Sequence, residues 1–170
     1  MNLTTLNLQD NRLTTLATGA FSNLQSLDEL FLRNNLITNL PSDIFAGLSN
    51  LRVVDLGENQ LNNLPNGIFS NLPKLRAVGL DNNQLTSLPN GIFDNDLGAW
   101  LVITLNDNQL TTLPNGIFDN LQGIGHLMLN NNQLTTLPNG IFDNLPSLGQ
   151  LDLSYNKLIY LPSNIFDTIE

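Results

Sequence analysis

The chain has no cysteine, one histidine, one tryptophan and only six lysines and arginines among its 170 residues. Without cysteine there is no disulfide, no thiolate metal site and no thiol nucleophile. His126 stands alone, so there is no histidine pair for zinc and no HExxH motif. A serine–histidine–aspartate arrangement would have to use His126, which has no obvious nucleophile near it in sequence. Gly123-Ile124-Gly125 lacks the third glycine and the following helix of a dinucleotide fingerprint. Catalysis is therefore not expected, and neither is a cofactor. The scarcity of bases, set against 15 acids, gives a net charge of −9. That balance disfavours nucleic acid and anionic membrane surfaces and favours a partner of basic character. No apolar run approaches the roughly 18 residues of a membrane span, and no stretch has signal-peptide form.

What is present is repetition. Phe21, Phe45, Phe69, Phe93, Phe118, Phe142 and Phe166 recur every 24 residues, with a single step of 25. Ahead of each runs the same phrase of leucines, an asparagine and a further apolar residue. Seven units begin near Leu3, Leu27, Leu51, Leu75, Trp100, Ile124 and Leu148. In the fourth, Leu75 to Leu80 reads as a short strand with Val78 and Leu80 turned inward and Ala77 and Gly79 outward. Asn83 turns the chain, Leu85 and Leu88 re-enter the core, and Asn90-Gly91 makes a turn on the far side before Ile92 and Phe93 return. One such unit cannot bury its own leucines, but stacked units bury each other's. Parallel strands on one edge and wider irregular segments on the other make the stack curve, with the sheet on the concave side.

These residues resemble the leucine-rich repeat family in its typical 24-residue subclass, over the whole chain. Leu-Pro-Asn-Gly-Ile-Phe-Asp-Asn-Leu at 113–121 and 137–145 is similar to repeats of the jawless-vertebrate variable lymphocyte receptors. The first unit departs in having Ala17 where the others carry proline, and the cysteine-rich caps of those receptors have no counterpart. The resemblance implies an α/β-type repeat solenoid of short parallel strands with irregular or 3-10 convex segments, forming one horseshoe domain over 1–170. It also implies a binding role and an extracellular setting, although the sequence itself assigns no compartment. Met1 opens directly into a repeat, so an export signal is expected only on a longer precursor.

Shared positions build the rod, so function belongs where the units differ. Asn11, Asn35, Asn59, Asn83, Asn108, Asn132 and Asn156 form one column, expected to satisfy backbone groups at each turn rather than to hold a ligand. The phenylalanine column is expected to be core. Asn106-Asp107-Asn108 matches no spaced calcium loop, and no metal site is expected. The concave columns hold what the framework lacks. Phe31, Val53, Leu101, Val102 and Met128 supply apolar bulk, with Arg33, Arg52, Arg76, Asp55 and Asp81 around them. Thr104, His126, Gln150, Asp152 and Tyr155 complete the expected binding face. Aromatic and arginine anchors inside a polar border are common in protein interfaces. Seven strands spaced about 4.8 Å apart give a sheet footprint of roughly 500 Å². That is below the roughly 800 Å² per partner of a standard interface, which suits a peptide or one protrusion of a protein.

The single irregular step lies at Asp96 and Trp100. Either Trp100 is buried as a bulky leading residue, which the register of Ile103 and Leu105 favours, or a local slip exposes it and buries Leu101. The expected function is non-enzymatic protein or peptide binding by the concave sheet. The alternatives are a scaffold segment without a dedicated ligand, and a small-molecule or carbohydrate site centred on Arg52, Arg76 and Tyr155. Without polar capping units, the ends are also expected to self-associate.

Overall fold

A computed structural model describes residues 2–94 and 101–169. Seven strands, β1 (Thr5–Asn7), β2 (Glu29–Phe31), β3 (Val53–Asp55), β4 (Ala77–Gly79), β5 (Leu101–Thr104), β6 (Ile124–Met128) and β7 (Gln150–Asp152), form one parallel sheet in chain order. Strands pair with the next unit's strand at matching positions, as in Val54 with Val78, apart from one shift between β5 and β6. The strand expected over 75–80 is thus only three residues long. Its pairing nevertheless extends outward, since Arg76 N donates to Arg52 O at 2.8 Å and Leu80 N to Thr104 O at 2.9 Å. The return segments contain no helix among the described residues. They are successive turns closed by i to i+3 bonds, such as Ser70 N to Gly67 O at 2.8 Å.

The core is a continuous column in which each unit covers the one before it. Phe45, Phe69, Phe93, Phe118, Phe142 and Phe166 stack with centroids 6.1–6.4 Å apart, within the range of favourable offset ring pairs. All are buried except Phe166, which is 43% exposed because no unit among the described residues lies beyond it.

The asparagine column does what the need to pair buried amides requires. Asn59 donates to Leu32 O, Leu56 O and Gly57 O at 3.0–3.1 Å, and its Oδ1 accepts from Ile37 N at 3.1 Å. One amide thus ties a turn to itself and to the preceding unit. The residue just before each of these asparagines takes a positive φ of 50–58°, including Glu58 and Tyr155, which are uncommon there.

The strand β5 departs from the expected register. Leu101 is fully buried and pairs with Ile124, while Val102 pairs with His126. The register shifts between those two pairs, so Leu101 occupies the leading core position and cannot belong to a ligand-binding face. A one-residue displacement exchanges the two faces of a strand, which is why Leu101 turns inward. Trp100 and Asp96 lie outside the described residues.

Candidate protein-binding face

On the open face of the sheet, side chains of successive units form columns because the strands pair in matching register. Val53, Ala77 and Val102 are neighbours in one column, and Phe31, Asp55, Gly79 and Thr104 in the next. The small residues Ala77 and Gly79 make β4 the low point of this surface. Phe31, Val53 and Val102 rise around it, and Arg33, Asp55, Asp81 and Thr104 border it. The resulting depression measures about 230 Å³. Its apolar walls and small-residue floor are bordered on one side by polar groups.

The polar border is fixed by Arg33. Its guanidinium meets Asp81 through two parallel bonds, Nη1 to Oδ1 at 3.1 Å and Nη2 to Oδ2 at 2.7 Å. Nη2 also donates to Glu58 Oε1 at 2.9 Å, and Nη1 approaches Asp55 Oδ1 at 3.5 Å. Arg33 comes from the second unit and Asp81 from the fourth, so the pair crosses the third. Gly57 makes that crossing possible: a Cβ there would overlap Arg33 Nη1 and lie 2.9 Å from Asp81 Oδ1. Thr104 Oγ1 and Asn82 Nδ2 add bonds to Asp81 at 3.0 and 3.1 Å.

Burial alone would push the Asp81 carboxyl up, but the hydrogen bonds from Arg33, Asn82 and Thr104 and the charge of Arg33 outweigh it and hold the group below its usual range. The bond with Asp81 likewise raises Arg33 above its ordinary value, with Glu58 contributing, against the cost of burial. Asp81 is therefore a buried structural anion more than an available ligand contact. Arg33 holds its carboxylates in a fixed arrangement beside the apolar walls.

Other expected face residues lie elsewhere. Arg52 and Arg76, expected as a possible small-molecule centre with Tyr155, line a separate polar depression with Lys74 in place of Tyr155. His126, Met128 and Gln150 are on β6 and β7, outside the walls of the β4 depression. The Ser154 side chain, followed by its backbone N at 2.9 Å, hydrogen-bonds to Asp152 and lowers that carboxyl below its usual range. Asp55 accepts a corresponding backbone bond from Gly57 N at 3.0 Å. Tyr155 sits in the turn after β7, at the position that Glu58 takes after β3, and is 81% exposed. The sequence reading turned Gly57, Ala77 and Gly79 outward but did not count them among the binding residues. The available signal was small residues placed in columns that elsewhere carry larger ones.

Among the described residues no cluster of histidine, aspartate and glutamate is arranged to hold a metal ion, and no helix is long and apolar enough to cross a membrane.

A family model described as leucine rich repeat matches residues 1–61, 26–85 and 101–158. Among curated proteins nothing matches. Among solved structures, one similar chain is found in the glycosylated Toll–Spatzle complex, a molecular hub in Drosophila development and innate immunity. It is 34% identical over 98% of the present chain, with a TM-score of 0.90. The present chain spans only 22% of that chain's length.

Proposed function

The chain belongs to the leucine-rich repeat family, and from that premise we propose that it is a non-enzymatic protein- or peptide-binding module working through the open face of its sheet. The observation that carries this reading is the depression over β4. Ala77 and Gly79 lower the surface between Phe31, Val53 and Val102, and Arg33 fixes a polar border beside them. Such a recess takes one apolar side chain of a ligand, while the border supplies orientation. The likeness to a chain from a complex of Toll with Spatzle supports a protein as the partner, in a receptor-like mode of recognition. The net charge of −9 further favours a partner that is basic overall. The 170-residue polypeptide itself also associates through its apolar end faces.

Peptides selected from a random displayed library on the purified chain test the binding face. Ala77→Trp, which fills the depression, lowers their affinity at least tenfold. Thr112→Arg, an exposed change in a return segment away from the sheet, leaves it unchanged. Binders insensitive to Ala77→Trp but abolished by Thr112→Arg would place recognition elsewhere and sink the reading.

A further inference from the structure

The β4 depression is not apolar throughout, because a carboxylate lies over its floor. Asp55 pairs with Gly79 across the β3–β4 ladder, and a Cβ at Gly79 would lie 2.6 Å from Asp55 Oδ1 and 3.2 Å from its Cγ. The Asp55 carboxylate thus leans into the space that a side chain at Gly79 would take. Gly57 N holds it there, donating to Oδ1 at 3.0 Å. The turn after β3 adds Glu58, whose Oε1 accepts from Arg33 Nη2 at 2.9 Å.

Charge around this floor does not balance. Arg33 is the only base lining the depression among the described residues, and it faces Asp55, Glu58 and Asp81. One guanidinium against three carboxylates leaves a local excess of two negative charges. Asp81 is the best served of the three, with two bonds from Arg33 and one each from Thr104 and Asn82. Asp55 meets Arg33 only at 3.5 Å. Among the described residues no donor bonds Asp55 Oδ2 or Glu58 Oε2, and both side chains stay partly exposed.

An apolar side chain seated over Gly79 excludes solvent from Asp55. A carboxylate that loses solvent without gaining a donor is costly, so a ligand that fits this recess brings its own cation. We propose that the apolar residue seated over β4 is accompanied in the ligand by a lysine or arginine one or two positions away, received by Asp55 and Glu58. The proposal rests on the open sheet face being the binding face, and it narrows a preference for basic partners to one contact. Strands stand about 4.8 Å apart, so the β3 side of the recess is within reach of the seated residue's neighbours. Hydrogen bonds between a cation and a carboxylate are short and strong, and they fix the direction in which the peptide lies. Arg33 is a positioning residue here: it ties Glu58 to Asp81 and cannot neutralise all three acids.

A random displayed peptide library, selected in parallel on the wild-type chain and on variants, tests this directly. On the wild type, selected peptides carry a lysine or arginine within two positions of an aromatic or aliphatic residue. Asp55→Asn combined with Glu58→Gln keeps acceptor oxygens for Gly57 N and Arg33 but removes both charges. It weakens those peptides at least tenfold, and selection on it no longer enriches the basic residue. Asp119→Asn combined with Asp167→Asn removes two exposed acids from return segments and leaves the peptides' affinity unchanged. Raising sodium chloride from about 50 to 300 mM weakens the peptides on the wild type and much less on the Asp55→Asn, Glu58→Gln variant. Peptides lost on Ala77→Trp but lacking the basic residue, or weakened equally by the two double variants, would overturn the cation contact and leave the binding face intact. Peptides indifferent to Ala77→Trp, or no binders at all, would overturn both. Self-association of the wild type abolished by Asp55→Asn with Glu58→Gln would give the recess to a second copy of the chain instead.

Discussion

Gly57 shows how one residue without a side chain controls a charge network. Its place is needed by the Arg33 guanidinium on its way to Asp81, and the Arg33 Cζ atom would lie 3.0 Å from an added Cβ. Gly57→Ala therefore displaces Arg33 and should cost about 1–3 kcal/mol in urea unfolding, the usual range for overfilling a packed site. In an Arg33→Ala background most of that cost disappears, because the atoms that the new methyl meets most closely are gone. Full additivity of the two substitutions would disprove the coupling. Arg33→Ala alone leaves the Asp81 carboxylate, whose side chain is 10% exposed, without its cation, at a cost of about 1–3 kcal/mol given that Arg33 is itself partly solvated. The pH dependence has a fixed sign. Asp81 titrates below its unfolded value of 3.8, so its contribution is present in full above that pH and is lost as pH falls through the folded value. The stability gap between wild type and Asp81→Asn should be constant from pH 7 to 5 and close only below about pH 4, as read by denaturant midpoints. A gap that instead opened on acidification would contradict the ion pair.

The repeated elements divide into those the sequence made legible and those it did not. Periodicity places the phenylalanine and asparagine columns because each position is imposed by identical neighbours on both sides. Asn83 makes four bonds, to Leu56 O, Leu80 O, Asp81 O and from Leu61 N, at 2.9–3.2 Å. Asn11, in the first unit, bonds only to Leu8 O and Gln9 O and is exposed. Asn83→Ala should therefore cost about 3 kcal/mol or more, since it strips partners from several buried backbone groups at about 1 kcal/mol each. Asn11→Ala should cost under about 1 kcal/mol. Equal losses in chemical denaturation would contradict this account. Outside the shared columns legibility falls. Leu101 looks like an outward residue when units are aligned on their asparagines, and only the shift between the Leu101–Ile124 and Val102–His126 pairs shows it buried. The Arg33–Asp81 pair joins residues 48 apart, across an intervening unit, and no spacing rule in the sequence connects them. Neighbouring units are readable from the repeat; contacts that skip a unit depend on side-chain length and on the vacancy at Gly57.

At the scale of the whole molecule, stability is a sum of unit-on-unit interfaces, so the end units differ from the middle ones. In the fourth and fifth units Phe93 and Phe118 are fully buried, whereas Phe166 is 43% exposed together with Ile159, Tyr160 and Leu161. Beside Phe166 lies a groove of about 400 Å³ lined by Leu148, Leu151, Leu153 and Ile169. At the opposite end Leu3 is 42% exposed and Leu6 and Leu8 only half-buried. The geometry that stacks one unit on the next can be continued between copies. In that register Asn11 Oδ1 of one copy would accept from Leu158 N of another, as Asn35 Oδ1 accepts from Leu13 N at 3.0 Å within the chain. Association of this head-to-tail kind does not close on itself, so it grows with concentration instead of stopping at a dimer. The net charge of −9 on each copy opposes it, and salt screens that repulsion without weakening the apolar contact. Light scattering on the 170-residue polypeptide should therefore show a mean mass that rises with protein concentration, and rises further between about 20 and 300 mM sodium chloride, where the screening length shortens from over 20 Å to under 8 Å. Tyr160→Lys with Phe166→Asp should suppress the rise at both salt concentrations. A strict monomer across that range, or a mass that falls with salt, would show that the bare end faces do not recognise each other.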